Sequence, residues 1–209
     1  MIVMPYWVLG LIVLAAVLSI IFFIWLALKV GVRPIELPEK HAGRLGERFA
    51  YEVISEILRE DDVLLTNITV TFDGKQAEFD DVIINSTGVY IIEVKNYSGE
   101  LFGDEDDYEW IKNKMTPGGQ FYQKTVKNPI KQVKRQVNIL SQYLQNNGIN
   151  AWIKGYVFFV EQNCPVQSEY VLATQRDIDE AVHRPGDEAL NERTIDRIRG
   201  VLRARKVGS

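Results

Sequence analysis

Apolar and polar positions along this chain change period several times, and each change marks an element. From Tyr6 to Leu28 no charged side chain interrupts an apolar run of 23 residues, long enough as a helix to cross a bilayer. Beyond it the period becomes helical: Leu45, Phe49, Ala50, Val53, Ile54, Ile57 and Leu58 fall on one broad face, predicting a helix over 41–59. Val63 to Phe72 predicts a strand, and Asp73-Gly74 is a hairpin turn signal. Two β-branched runs, Val82 to Ile84 and Val89 to Ile92, flank Asn-Ser-Thr-Gly and predict two more strands joined by a turn. Gly99 to Met115 predicts a short polar hairpin region, and Thr116 to Lys127 a loop.

Asn128-Pro129 opens the clearest helix, with a capping residue and then proline at the first helical position. Ile130, Val133, Val137, Leu140 and Leu144 form its buried stripe, and Gly148 supplies the stop. Tyr156 to Val160 and Tyr170 to Ala173 predict strands; Asp177 to His183 and Glu192 to Arg205 predict closing helices. After the apolar start the order is α-β-β-β-α-β-β-α-α, which predicts a mixed α/β domain with helices packed on a central sheet.

Charge refines this organisation. The absence of a basic start and of a small-residue cleavage site argues against a cleaved signal peptide. Tyr6, Trp7 and Trp25 lie near the ends of the run, where amphipathic rings favour the interface. Residues 1–29 therefore read as a transmembrane anchor in the lipid bilayer. Lys29, Arg33, Lys40 and Arg44 follow it and predict an outside N-terminus with a cytoplasmic C-terminal domain. Residues 30–40, with Pro34 and Pro38, read as a linker, 41–185 as the folded domain, and 186–209 as a basic amphipathic helix.

One cysteine, Cys164, excludes a disulfide framework, and two histidines, His41 and His183, exclude a histidine-rich metal site. With a net charge of −4 the chain has no global attraction for polyanions, so any such contact needs a local basic patch. Two are present. Lys124, Lys127, Lys131, Lys134 and Arg135 surround the start of the long helix, and Arg193, Arg197, Arg199, Arg203, Arg205 and Lys206 line the last one. Ile195, Ile198 and Leu202 give that last helix a packing stripe. Asp104 to Asp107 lacks the order of a calcium loop and reads as a solvated hairpin tip, and Pro117-Gly118-Gly119 lacks the Gly-Lys-Ser/Thr of a phosphate loop.

Chemistry concentrates at the ends of the two central strands. Side chains alternate along a strand, so Glu93 and Lys95 share a face, and the turn at Asn85 to Gly88 folds Asp80 back toward Glu93. Two carboxylates brought together repel unless a counter-charge joins them. Mg²⁺ or Mn²⁺ suits such oxygen ligands, and a nearby lysine can orient water or stabilise developing charge. The bland alternative is a solvated salt-bridge cluster at the sheet end.

The spacing Asp-x12-Glu-x-Lys over adjacent strands resembles the PD-(D/E)xK nuclease motif, and the wider segment resembles the nuclease-related domain (NERD). The resemblance rests on Gly46-Glu47, Glu78-Phe79-Asp80, Ile92-Glu93-Val94-Lys95-Asn96 with Gly99, and Asn128-Pro129-Ile130-Lys131-Gln132, spanning roughly residues 41 to 145. It implies a restriction-endonuclease-like fold. It implies that Asp80 and Glu93 hold a metal with the carbonyl of Val94, that Glu47 completes the ligand set, that Lys95 acts on the attacking water, and that Gln132 faces the site.

A Glu-x-Lys match alone means little, since about one arises by chance in a chain of this length, and Asp73-Gly74-Lys75 satisfies the wider Asp/Glu-x-Lys pattern in a plain turn. Asp81 departs from the resemblance, because a histidine is common there; it adds charge and leaves the ligand open between Asp80 and Asp81, with Asp80 favoured. The implied function is metal-dependent phosphodiester hydrolysis, on DNA ahead of RNA. The rivals are a catalytically silent module of the same fold, binding nucleic acid or a protein at the membrane, and a lipid-surface scaffold.

Overall fold

The computed structural model of the chain describes residues 6–30, 38–115, 118–184 and 189–203. It divides into two compact units, Met1–His41 and Ala42–Ser209. In the first, α1 runs over Tyr6–Val30. Its side chains are described at Trp7 and Val8 and from Gly10 to Leu26, and this last stretch is exposed throughout. Among the described residues no helix is long and apolar enough to cross a membrane. Arg33, Pro34, Pro117, Arg205 and Lys206, and most of the expected linker, lie outside the described residues; α2 (Pro38–Ile57) begins inside that linker.

The second unit is built on a five-stranded sheet in the order β1-β2-β3-β7-β8, formed by Val63–Phe72, Lys75–Asn85, Gly88–Lys95, Ile153–Phe159 and Val171–Leu172. β1, β2 and β3 form an antiparallel meander, and β7 and β8 continue it in parallel. A parallel neighbour requires a crossover, and α3 (Pro129–Asn146) supplies it. Gly155 of β7 makes its close packing possible: a Cβ there would lie 2.6 Å from Val133 and 2.7 Å from Val137. Strand β3 sits centrally and is buried at every position before Lys95, as expected where helices cover both faces.

Each face has its own core. On one, Val82, Ile84, Val89 and Ile91 meet Ile130, Val133 and Leu140 of α3 and Ile195, Ile198 and Leu202 of α5 (Glu192–Arg203). On the other, Ile83, Tyr90, Ile92 and Tyr156 meet Ala50 and Ile54 of α2 and Ile178 and Val182 of α4 (Gln175–His183). The imidazole of His183 is tied to Asp62 at 2.8 Å and Asp179 at 2.6 Å, far along the chain from the acids of the sheet end.

Two expectations are corrected. Thr116 to Lys127 is not all loop, because β6 (Phe121–Lys127) pairs along its whole length with β5 (Glu109–Met115). With β4 (Glu100–Phe102) they form a separate three-stranded sheet. Trp110, fully buried, faces Val126 and stacks on Phe159 at 6.1 Å. Elsewhere β6 is open to solvent, so no apolar alternation betrayed it. On α2, Leu45 and Phe49 stay exposed; only Ala50 and Ile54 are fully buried there among the apolar residues of the predicted face.

Candidate active site

An irregularity in the meander places the acids. In β1 the residues of the α3-side core are Leu65, Ile68 and Val70; in β2 they are Ala77, Phe79, Val82 and Ile84. A regular strand returns to one face every second residue, yet both strands take one step of three, at Thr66-Asn67 and at Asp80-Asp81. Asn67 has φ 51°, and the pairing passes from Thr66↔Asp81 to Ile68↔Phe79 without an Asn67↔Asp80 partner. Asp80 and Asp81 occupy the two positions over which the face changes.

Register then sets the opposing residues. Asp81 pairs with Ile92, which brings Asp80 to the level of Glu93. The N–H of Val94 donates to Asp80 Oδ2 at 2.8 Å. Glu93 is only 3% exposed, so its charge needs partners. Its Oε1 accepts from the Lys95 ammonium and from Gln132 Nε2 at 2.6 Å, and its Oε2 accepts from Gln136 Nε2 at 2.6 Å. Gln136 Nε2 also donates to the Glu78 carbonyl at 2.7 Å.

Positive charge is short on the other side. Burial first, and then Glu93, push Asp80 up to about 7, against the pull of Val94 N–H and Lys95. Burial, then Asp80, then Glu47 push Asp81 up to about 7. Burial draws Lys95 down, but Glu93 and Tyr97 outweigh it and hold the amine above the usual lysine value. Lys95 is therefore an ammonium, able to orient and to stabilise negative charge, and not a free base.

Every residue singled out in the sequence comes to this end of the sheet. Asp80 and Glu93 converge, Lys95 bonds Glu93, Val94 bonds Asp80, and Gln132 reaches Glu93 from α3. Glu47 of α2 lies close enough to raise both aspartates. Gly46 beside it is a packing requirement: a Cβ would lie 2.5 Å from the Asn96 Cβ, and Asn96 Nδ2 donates to the Ala42 carbonyl at 2.8 Å. Glu93 and Asp81 are buried while Asp80 and Lys95 are half-buried, so the cluster is set into the sheet end rather than fully solvated. Asp80, not Asp81, is the acid that meets Glu93 and Lys95. Among the described residues no three His, Cys, Asp or Glu side chains form a ready metal cage.

Gln136 was missed. It lies one turn beyond Gln132, a polar residue inside the apolar stripe of α3, which is the signal that could have revealed it. Tyr97 was missed too: two residues past Lys95, its phenol is raised by burial against the charge of Lys95 and is raised further by Glu93.

The first basic patch is largely committed to neighbours. Lys134 pairs with Glu105 at 2.8 Å and sits 4.3 Å from the Tyr170 ring, and Lys131 lies 4.9 Å from the Tyr108 ring. Asn128 Oδ1 caps α3 through Ile130 N–H at 2.9 Å, while its Nδ2 holds the carbonyls of Glu105 and Asp107. The acidic run is thus a backbone-anchored turn beside the helix start.

The nuclease-related domain family matches residues 42–160. The chain belongs to the NERD family. This match covers the meander, the small sheet, α3 and β7, and so includes every site residue above. The chain is also 32% identical over 74 residues to an uncharacterized protein of Bacillus anthracis, an alignment covering 35% of each. The chain thus spans about a third of that relative's length. No solved structure matches it. The family is described as nuclease-related.

Proposed function

We propose that this NERD protein is a metal-dependent nuclease that hydrolyses phosphodiester bonds, DNA ahead of RNA, with its centre at Asp80, Glu93 and Lys95. The observation that carries the reading is the meeting of buried Glu93 with half-buried Asp80 and the half-buried Lys95 ammonium across β2 and β3. Asp80 and Asp81 are both raised to about 7, the Lys95 ammonium offsetting only part of the burial and like charge around Asp80, so the pair is short of positive charge. A hard divalent cation supplies such charge, and the oxygen donor set suits Mg²⁺ or Mn²⁺. Asp80, Glu93 and the Val94 carbonyl would hold it, with Glu47 completing the set.

When bound, the ion activates water and polarises the phosphoryl oxygen. The protein's own groups do the rest. The Val94 N–H orients Asp80, Gln132 and Gln136 fix the Glu93 carboxylate, and the Lys95 ammonium aligns the attacking water and offsets charge on the phosphorane-like transition state. The tether is part of the proposal: the charge-free stretch over the first 28 residues supports a bilayer anchor, with the basic residues after it supporting a cytoplasmic domain.

The second reading, a silent nucleic-acid or protein-binding module, draws on the closed network around Glu93, whose two oxygens already accept three donors. Plasmid and short labelled DNA and RNA, incubated with Mg²⁺, Mn²⁺ or chelator, decide between them. Metal-dependent cleavage lost in Glu93→Ala and Lys95→Ala supports the nuclease; intact substrate under all conditions supports the silent module.

A further inference from the structure

The small sheet has one face that continues the site. On the face that carries buried Trp110 and Val126, the next cross-strand pair is Lys112↔Lys124 and the one after it is Lys114↔Tyr122. The face thus passes from the core to a pair of lysines and then to a lysine beside a ring that is 44% exposed. Tyr97 joins the row to the centre. The Lys112 ammonium lies 5.4 Å from the Tyr97 ring, and the Tyr97 phenol feels both Lys124 and Lys95.

We propose that this face of the β4–β6 sheet is a platform for an unpaired nucleic-acid strand leaving the Asp80–Glu93–Lys95 centre, with phosphates held by Lys112 and Lys124 and a base stacked on Tyr122. The inference rests on the nuclease reading for its substrate, and it assigns that substrate a single-stranded segment. Lysines contact phosphate without reading sequence, and a tyrosine face stacks any base once the base is out of a duplex. The acidic balance of the whole chain, net −4, makes a local row of this kind the part that a polyanion can approach.

The test measures binding of a short labelled oligothymidylate, and of a duplex of equal length, to the full chain in mild detergent. Chelator is present so that nothing is cut, and salt is varied between roughly 50 and 200 mM. The wild type should bind the single strand more tightly than the duplex. Lys112→Gln with Lys124→Gln should flatten the salt dependence by about 1.4, two phosphates at roughly 0.7 each. Lys124→Gln alone should flatten it by about half as much, and serves if the double variant does not fold. Tyr122→Ala should weaken single-strand binding about tenfold with the slope kept. Lys154→Gln, a lysine paired with Glu169 on another part of the surface, is the control for charge alone. An unchanged slope in the lysine variants, an equal flattening in Lys154→Gln, or equal affinity for duplex overturns the platform. Absence of metal-dependent cleavage by the wild type overturns the nuclease reading instead, and these titrations still decide the platform.

Discussion

The backbone N–H of Val94 donates to Asp80 Oδ2 at 2.8 Å, so the strand that carries Glu93 and Lys95 also aims the acid opposite them. The donor of this bond is main chain, so no side-chain substitution in β3 removes it. Asp80 is therefore positioned by the fold itself, whereas Glu93 is positioned by side chains that can be replaced one at a time.

Gln136 is the clearest of these. It is 2% exposed and bonds both Glu93 Oε2 and the Glu78 carbonyl. Gln136→Leu keeps the volume and leaves the buried Glu93 Oε2 and the Glu78 carbonyl without this donor, which costs about 1–3 kcal/mol. The urea midpoint should fall by the corresponding amount with the slope of the transition unchanged.

Two glycines of α2 should behave oppositely. Gly46→Ala drives a Cβ into Asn96 at 2.5 Å and should destabilise by about 1–3 kcal/mol, disturbing the helix that carries Glu47. Gly43→Ala meets nothing within 4 Å and should stabilise by about 0.5–1 kcal/mol through helix propensity. Thermal melts of the two variants check the contrast.

Metal-free protein should lose stability as pH rises toward neutrality. Asp80 and Asp81 titrate at about 7 when folded, well above the usual carboxylate range, so the folded state holds protons that the unfolded chain has already released. Stability is then greatest on the acid side of this window and falls as pH rises through about 7. Urea midpoints at about pH 6 should exceed those at about pH 8. Asp81→Asn should flatten the difference, and a midpoint that rises with pH in the wild type would contradict the charge account.

Much of this was legible because strands β2 and β3 contain continuous β-branched runs with a short turn between them. The turn length fixes their register, and register alone brings Asp80 to Glu93. Lys95 follows from alternation, and Gln132 from its place one turn into a capped helix. The step of three residues at Asp80-Asp81 was not legible, since it depends on the backbone of Asn67 in the neighbouring strand. Strand β6 was hidden for another reason: Gln123 and Thr125 on one face and Lys124 on the other stand where an apolar pattern would have marked a strand. Gln136 went unread although its place inside the apolar stripe of α3 marks it, because its partner Glu93 lies on a distant strand.

The Asp80–Glu93 meeting point is proposed as a divalent-metal site. Calorimetric titration of Mn²⁺ into the full chain tests it most directly, beside Asp80→Asn and Glu93→Gln variants shown by melting to be folded. The account predicts saturable binding by the wild type that both variants lose. Wild-type protein that takes up no ion, or variants that bind as the wild type does, would contradict it.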